Sequence, residues 1–194
     1  MNFLAHIYLS GDNDLMKIGN FMADGIHGKN LEHFSKDIRK GIILHRAIDT
    51  FTDAHPIFRK STKRLHPNYH HYSGIIVDIF YDHFLAKNWS KYSNQDLEEY
   101  SNDFYKSLEI NYDLLTEKVK KMLPYIKEQN WLLSYQTIEG IEIILGKMDN
   151  RMKRNSIMRL SVAELRTYYF EIESEFTAFF DELIVYSNLK IQSL

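Results

Sequence analysis

An all-α fold follows from how few helix breakers this 194-residue sequence contains and from how its apolar residues are spaced. Three prolines and eight glycines punctuate the chain. Apolar side chains recur mostly three and four positions apart, which gathers them on one side of a helix instead of on alternate faces of a strand. With 44% hydrophobic and 14% aromatic residues, the chain carries enough apolar material for one continuous core. We therefore expect a single-domain helical bundle over residues 1–194.

The elements can be placed in order. A first helix is expected over 15–23, with Gly11, Asp12, Asn13 and Asp14 as capping candidates before it. A second covers 35–52 and stops at Asp53-Ala54-His55-Pro56, because the residue before a proline is pushed out of helical geometry. Pro56 then opens a short third helix. Residues 66–73, with Pro67, Asn68 and clustered aromatic and imidazole rings, read as a loop. The next helix, 74–87, carries Ile75, Ile76, Ile79, Phe80 and Phe84 and is expected at the centre. Beyond Trp89 the pattern turns charged, with a helix start at 93–96 and a break or kink at Pro124. Ser161-Val162-Ala163-Glu164 reads as a capping box, followed by Leu165, Tyr168, Ile172, Phe176, Phe179 and Leu183 on one apolar face. No repeat, low-complexity tract or linker is evident, so residue 92 marks a change of role: 1–92 a metal-binding and catalytic half, 93–194 a scaffold half.

Composition narrows the chemistry. Cysteine is absent, so a metal would have to be held by imidazole nitrogen and carboxylate oxygen, a donor set that suits manganese, iron, magnesium or zinc. The amino terminus lacks a basic leader and a cleavage site, and no apolar run reaches 18 residues, so a soluble cytoplasmic protein without a membrane segment is expected. Net charge is −2, but residues 1–92 hold 12 Lys/Arg against 9 Asp/Glu and residues 93–194 hold 12 against 17. Between Asp53 and Asp78 no acidic residue occurs, while Arg59, Lys60, Lys63 and Arg64 do, a cationic strip suited to phosphate or an acidic partner. Arg151, Lys153 and Arg154 could extend it. Nucleic acid is not expected, since the overall balance is acidic and no groove-reading motif appears.

All nine histidines lie between His6 and His83, interleaved with Asp24, Asp49, Asp53, Asp78 and Asp82. His45, Asp49 and Asp53 follow at four-residue intervals, so on a continuous helix they share one strip; the bland alternative is a solvated edge capped by Asp53. Asp78 and Asp82 stand one turn apart in an otherwise apolar helix, with His83 adjacent. Carboxylates buried there are costly unless hydrogen-bonded, bound to a cation or paired with an arginine such as Arg46 or Arg59, and a cation would account for them. His6 taken alone reads more readily as a core histidine bonded to a backbone carbonyl than as a ligand, and Asp24 as a helix-end or turn residue. His27, His33, His66, His70 and His71 are expected at the surface.

The segments Asn2-Phe3-Leu4-Ala5-His6, Gly19-Asn20-Phe21-Met22-Ala23-Asp24, Leu44-His45-Arg46-Ala47-Ile48-Asp49, Thr52-Asp53-Ala54-His55-Pro56 and Ser73-Gly74-Ile75-Ile76-Val77-Asp78-Ile79-Phe80-Tyr81-Asp82-His83-Phe84-Leu85-Ala86 together resemble the acyl carrier protein phosphodiesterase family. The resemblance is dense over 1–89 and weaker at Trp131-Leu132-Leu133-Ser134-Tyr135, Glu139-Gly140-Ile141 and Arg151. That family is similar to the all-helical HD-type metal phosphohydrolases. The resemblance implies removal of 4′-phosphopantetheine from holo acyl carrier protein with a divalent metal, typically manganese. It implies Asp24, His45, Asp49, Asp78, Asp82 and His83 as metal candidates, with His6, Asp53 and His55 as further ligands or their partners. The adjacent pair Asp82-His83 reverses a plain HD signature, so ligands cannot be copied across from that superfamily.

In the expected reaction a metal-activated water attacks the phosphorus, and Asp53 or another acid outside the ligand set orients or deprotonates it. Arg46, or Arg59, Lys63 and Arg64 on the cationic strip, would hold the phosphate oxygens and meet the small, acidic carrier. Two alternatives remain open at this point: a metal phosphohydrolase of a nucleotide or other small phosphoester, and a non-catalytic helical module that binds the carrier protein.

Overall fold

In the computed structural model, which describes residues 2–151 and 157–194, the described residues are helices joined by short turns, with no strand among them. Lys153 and Arg154, part of the second expected cationic strip, lie outside the described residues. The helices are α1 (Phe3–Tyr8), α2 (Asp14–Met22), α3 (Lys36–Ala54), α4 (Pro56–Tyr69), α5 (Ser73–Lys87), α6 (Leu97–Ile110), α7 (Glu117–Glu128), α8 (Trp131–Ser134), α9 (Ile138–Arg151), α10 (Val162–Thr167) and α11 (Tyr169–Gln192). Among the described residues no helix is long and apolar enough to cross a membrane.

The centre is α5, as its sequence predicts. Ile76, Val77, Ile79, Phe80, Tyr81, Phe84 and Leu85 are all 0% exposed, and a helix apolar on every side has to be enclosed. Helix α11 encloses it with Phe176 and Phe179, whose rings pack on Tyr81 and Phe84, while Phe180 stacks on Phe176. Each such burial stabilises the fold by roughly 1.5–3 kcal/mol. The one buried acid of α11, Glu175, is neutralised by Arg64, which donates to both of its oxygens at 2.7 and 2.8 Å.

Several boundaries differ from expectation for identifiable reasons. Helix α1 was not anticipated: its six residues are held because Asn2 Oδ1 caps Phe3 and the Asp82 carboxylate accepts from Leu4 and Ala5. Helix α4 runs through Pro67 to Tyr69 instead of yielding to a loop at 66. Pro67 is exposed and sits in the last turn, so water can satisfy the carbonyl it leaves unpaired. Pro124 likewise sits exposed inside α7 and does not end it. The expected capping box at Ser161 is absent, since Ser161 turns its hydroxyl onto Met158 O and the long helix starts only at Tyr169.

Candidate active site

Four of the expected residues meet where α1, α2 and α3 cross. His6 comes from α1, Asp24 from the 3-10 turn Ala23–Gly25 that follows α2, and His45 and Asp49 from successive turns of α3. His45 Nε2 lies 3.1 Å from Asp49 Oδ2 and 3.2 Å from Asp24 Oδ1. His6 Nε2 lies 3.2 Å from Asp49 Oδ1, and the two imidazoles stack with centroids 4.1 Å apart and planes inclined by 19°. His6, His45 and Asp49 each offer a ligand atom within 4.8 Å of the others. The imidazoles are buried, whereas the side chains of Asp24 and Asp49 are 55% and 43% exposed, so the cluster is rooted in the core and opens outward.

Behind the imidazoles a closed polar network joins the three helices. Asn20, fully buried on α2, holds His45 Nδ1 at 3.0 Å through Oδ1 and donates its amide to His6 O at 3.0 Å and Ser10 Oγ at 2.9 Å. Ser10 in turn donates to His6 O at 2.8 Å.

Charge distribution follows from this packing. Burial pulls His6 down to a pKa of about 4, against the pull of Asp49, so that ring is neutral at pH 7. Burial also works against protonated His45, but hydrogen bonds to Asp24 and Asp49 outweigh it and raise His45 to about 9. The hydrogen bond from His45 is the largest influence on Asp24 and lowers it. For Asp49, burial pushes upward, but bonds from His45 and His6 hold the carboxyl well below the usual carboxylate range. Asp78 is pushed up by burial.

The cluster opens into a cleft of about 500 Å³. Its carboxylates are Asp24, Asp49, Asp53 and Asp78, from the turn after α2 and from α3 and α5. Much of the remaining lining comes from α8 and α9, in the half expected to be scaffold: Trp131, Ile143, Ile144 and Met148, with the cations Lys147 and Arg151. Lys147 donates to Gln129 Oε1, and the Arg151 guanidinium lies 5.8 Å from the centroid of the Trp131 ring. Sequence reasoning missed Asn20, Lys147 and Trp131 as site residues. An amide within the apolar run Ile18 to Met22 was the signal for Asn20, the weaker family-like segment 131–135 was the signal for Trp131, and none marked Lys147.

The remaining candidates are used elsewhere. Both oxygens of Asp82 accept from α1, at 2.8 Å from Leu4 N and 3.3 Å from Ala5 N, and the group is 0% exposed. Burial raises its pKa to about 7 against those two amides. His83 donates from Nδ1 to Tyr135 O and accepts at Nε2 from the Tyr169 hydroxyl, both at 2.8 Å, which leaves neither nitrogen for a metal. His55 caps α4 at Ile57 and pairs with Glu182 at 3.3 Å. Arg46 donates to Ile26 O and Gly28 O, pinning the loop after Asp24. In the expected phosphate-binding strip, Arg59 donates to Asp53 O, Lys60 and Arg64 pair with Glu175, and Lys63 is exposed. None of these last four lines the cleft. His27, His33, His66, His70 and His71 are exposed, as expected.

Comparison with known proteins gives the family of the chain. The family model described as acyl carrier protein phosphodiesterase matches residues 1–183. Relatives named acyl carrier protein phosphodiesterase include one from Photorhabdus laumondii, 30% identical over 93% of this chain and 91% of its own. Another, from Enterobacter sp., is 28% identical over 98% and 99%, and one from Escherichia coli O157:H7 is 30% identical over 98% and 99%. No solved structure matches the chain. The imidazole and carboxylate cluster at the crossing of α1, α2 and α3 is thus carried by a member of the acyl carrier protein phosphodiesterase family.

Proposed function

We propose that this protein hydrolyses the phosphodiester that joins 4′-phosphopantetheine to a serine of holo acyl carrier protein, releasing the apo carrier and 4′-phosphopantetheine. The observation that carries the reading is the convergence of His6, His45, Asp24 and Asp49 beside a cleft large enough for an arm of that size, in a chain of this family.

A divalent cation fits the donor set. Neither ring nitrogen of buried His6 makes an aligned hydrogen bond among the described residues, although Nε2 stands 3.2 Å from Asp49 Oδ1, an arrangement proteins rarely leave uncompensated. Two imidazoles and two carboxylates together supply the nitrogen and oxygen donors such ions take. His6, His45, Asp49 and Asp24 would hold it. We assign manganese first, with magnesium, iron and zinc as the alternatives. A bound divalent ion lowers the pKa of a water and neutralises a phosphoryl oxygen.

The other residues of the cleft divide the remaining work. Asp53, exposed and lining the cleft, takes the proton of the attacking water. Lys147 and Arg151 balance the negative charge of the substrate, which would otherwise meet four carboxylates unopposed. Trp131, Ile143, Ile144 and Met148 give the pantetheine arm an apolar surface and keep water from it. Incubating the purified protein with holo carrier and manganese and weighing the carrier by mass spectrometry tests the proposal. Loss of the whole phosphopantetheine mass supports it. An unchanged carrier alongside turnover of nucleotides, or binding without any turnover, would point to the other two readings instead.

A further inference from the structure

Asn20 faces acceptors that leave its amide only one orientation. His6 O is a carbonyl and accepts only, so the atom 3.0 Å from it is the NH2 of Asn20. Ser10 Oγ already spends its proton on His6 O at 2.8 Å and is therefore the acceptor for the other amide hydrogen. With both hydrogens committed, the atom facing His45 is Oδ1, which cannot donate. His45 Nδ1, 3.0 Å away, must then carry a proton in every state of the ring.

We propose that Asn20 is the positioning residue of the site: it holds the proton of neutral His45 on Nδ1, so that Nε2 alone presents a lone pair toward Asp24 and Asp49. The same amide fixes the backbone of His6, so one side chain sets both stacked rings. A ring free to choose its tautomer would place a proton on Nε2 for part of the time, where it blocks a cation from binding. The close crossing of α2 and α3 makes this reach available. A β-carbon on Gly41 would stand 2.7 Å from Asn20 N, so only glycine lets α3 approach this far.

The inference rests on the metal-site reading above, but its test does not need the metal to be active. Long-range proton–nitrogen spectra of 15N-labelled, metal-free protein, at a pH where His45 is neutral, report its tautomer directly. We expect a proton on Nδ1 alone, and expect it to persist when zinc, chosen as a diamagnetic probe, is added. An Nε2-protonated or mixed tautomer in the native protein would overturn the proposal.

In Asn20→Leu the two nitrogens should become mixed and the dissociation constant for zinc should rise about tenfold or more. In Asn20→Asp, which keeps the acceptor, the tautomer should be retained. A folded Asn20→Leu with native tautomer and native zinc affinity would reduce Asn20 to a packing residue and overturn the proposal. If Asn20→Leu does not fold, the native spectrum and Asn20→Asp still decide. Native protein that shows the expected tautomer but binds no divalent ion would refute the metal-site reading and leave the role of Asn20 standing.

Discussion

A β-carbon placed on Gly19 would stand 2.2 Å from the carbonyl oxygen of Ile38, and one on Gly41 would stand 2.2 Å from that of Met16. The two helices that carry Asn20 and His45 therefore touch backbone to backbone. Both obstacles are main-chain atoms, which cannot swing aside as a side chain would. Gly41→Ala should destabilise the protein by about 1–3 kcal/mol, because the added methyl forces α2 and α3 apart. Its metal affinity should fall as well, since Asn20 and Asp24 move away from His45. Thermal melts with and without manganese check both effects.

The buried Asp82 carboxyl makes a prediction with a pH signature. Its folded pKa, about 7, lies above the ordinary 3.8. Between those values the folded state keeps a proton that the unfolded state has lost. The contribution is full below the lower value and disappears as the pH rises through the upper one. Native protein should therefore lose stability between pH 4 and 7 from this group, and Asp82→Asn should flatten that slope. Asp82→Ala leaves two buried amides of α1 unpaired and should cost about 1–3 kcal/mol at each. Urea unfolding at several pH values measures all three.

Metal uptake should be linked to protons through one histidine only. His45 sits near 9 and is charged at pH 7, whereas His6 sits near 4 and is already neutral. Loading manganese at pH 7 should release about one proton, and affinity should climb close to tenfold per pH unit until His45 titrates. Calorimetry in buffers of different ionisation heat counts the protons. The metal-free protein should show the complementary trend. Stability from the raised His45 is full below its ordinary 6.5 and is lost as pH rises through 9.

Charge reversal on α9 should separate substrate capture from chemistry. Lys147→Glu with Arg151→Glu should raise the KM for holo carrier about tenfold, and added salt should shrink the difference, as expected for a partly exposed electrostatic contact. Arg59→Glu should have little effect on KM, since Arg59 is outside the cleft and bonded to Asp53 O. A larger rise in KM from Arg59→Glu than from the α9 pair would return the docking surface to α4.

What the sequence disclosed and what it withheld have physical reasons. The pairing of His45 with Asp49 was legible because helical periodicity alone places residues four apart on one strip. The central position of α5 was legible because no surface helix is apolar all round. Asp82 misled: a carboxylate in an apolar helix does need compensation, but it comes from the amides of α1, 77 and 78 residues away, which no local pattern reveals. Of the α9 lining only Arg151 was anticipated, because lysine, arginine and isoleucine on a helix look the same whether they line a cleft or face bulk water.

Phe176 and Phe179 belong to α11, yet they close over Tyr81 and Phe84 on the helix that also bears Asp78. The half that bears the histidines therefore depends on α11 for the apolar cover of its central helix. A polypeptide bearing every histidine but lacking α11 would leave that greasy flank of α5 open to water.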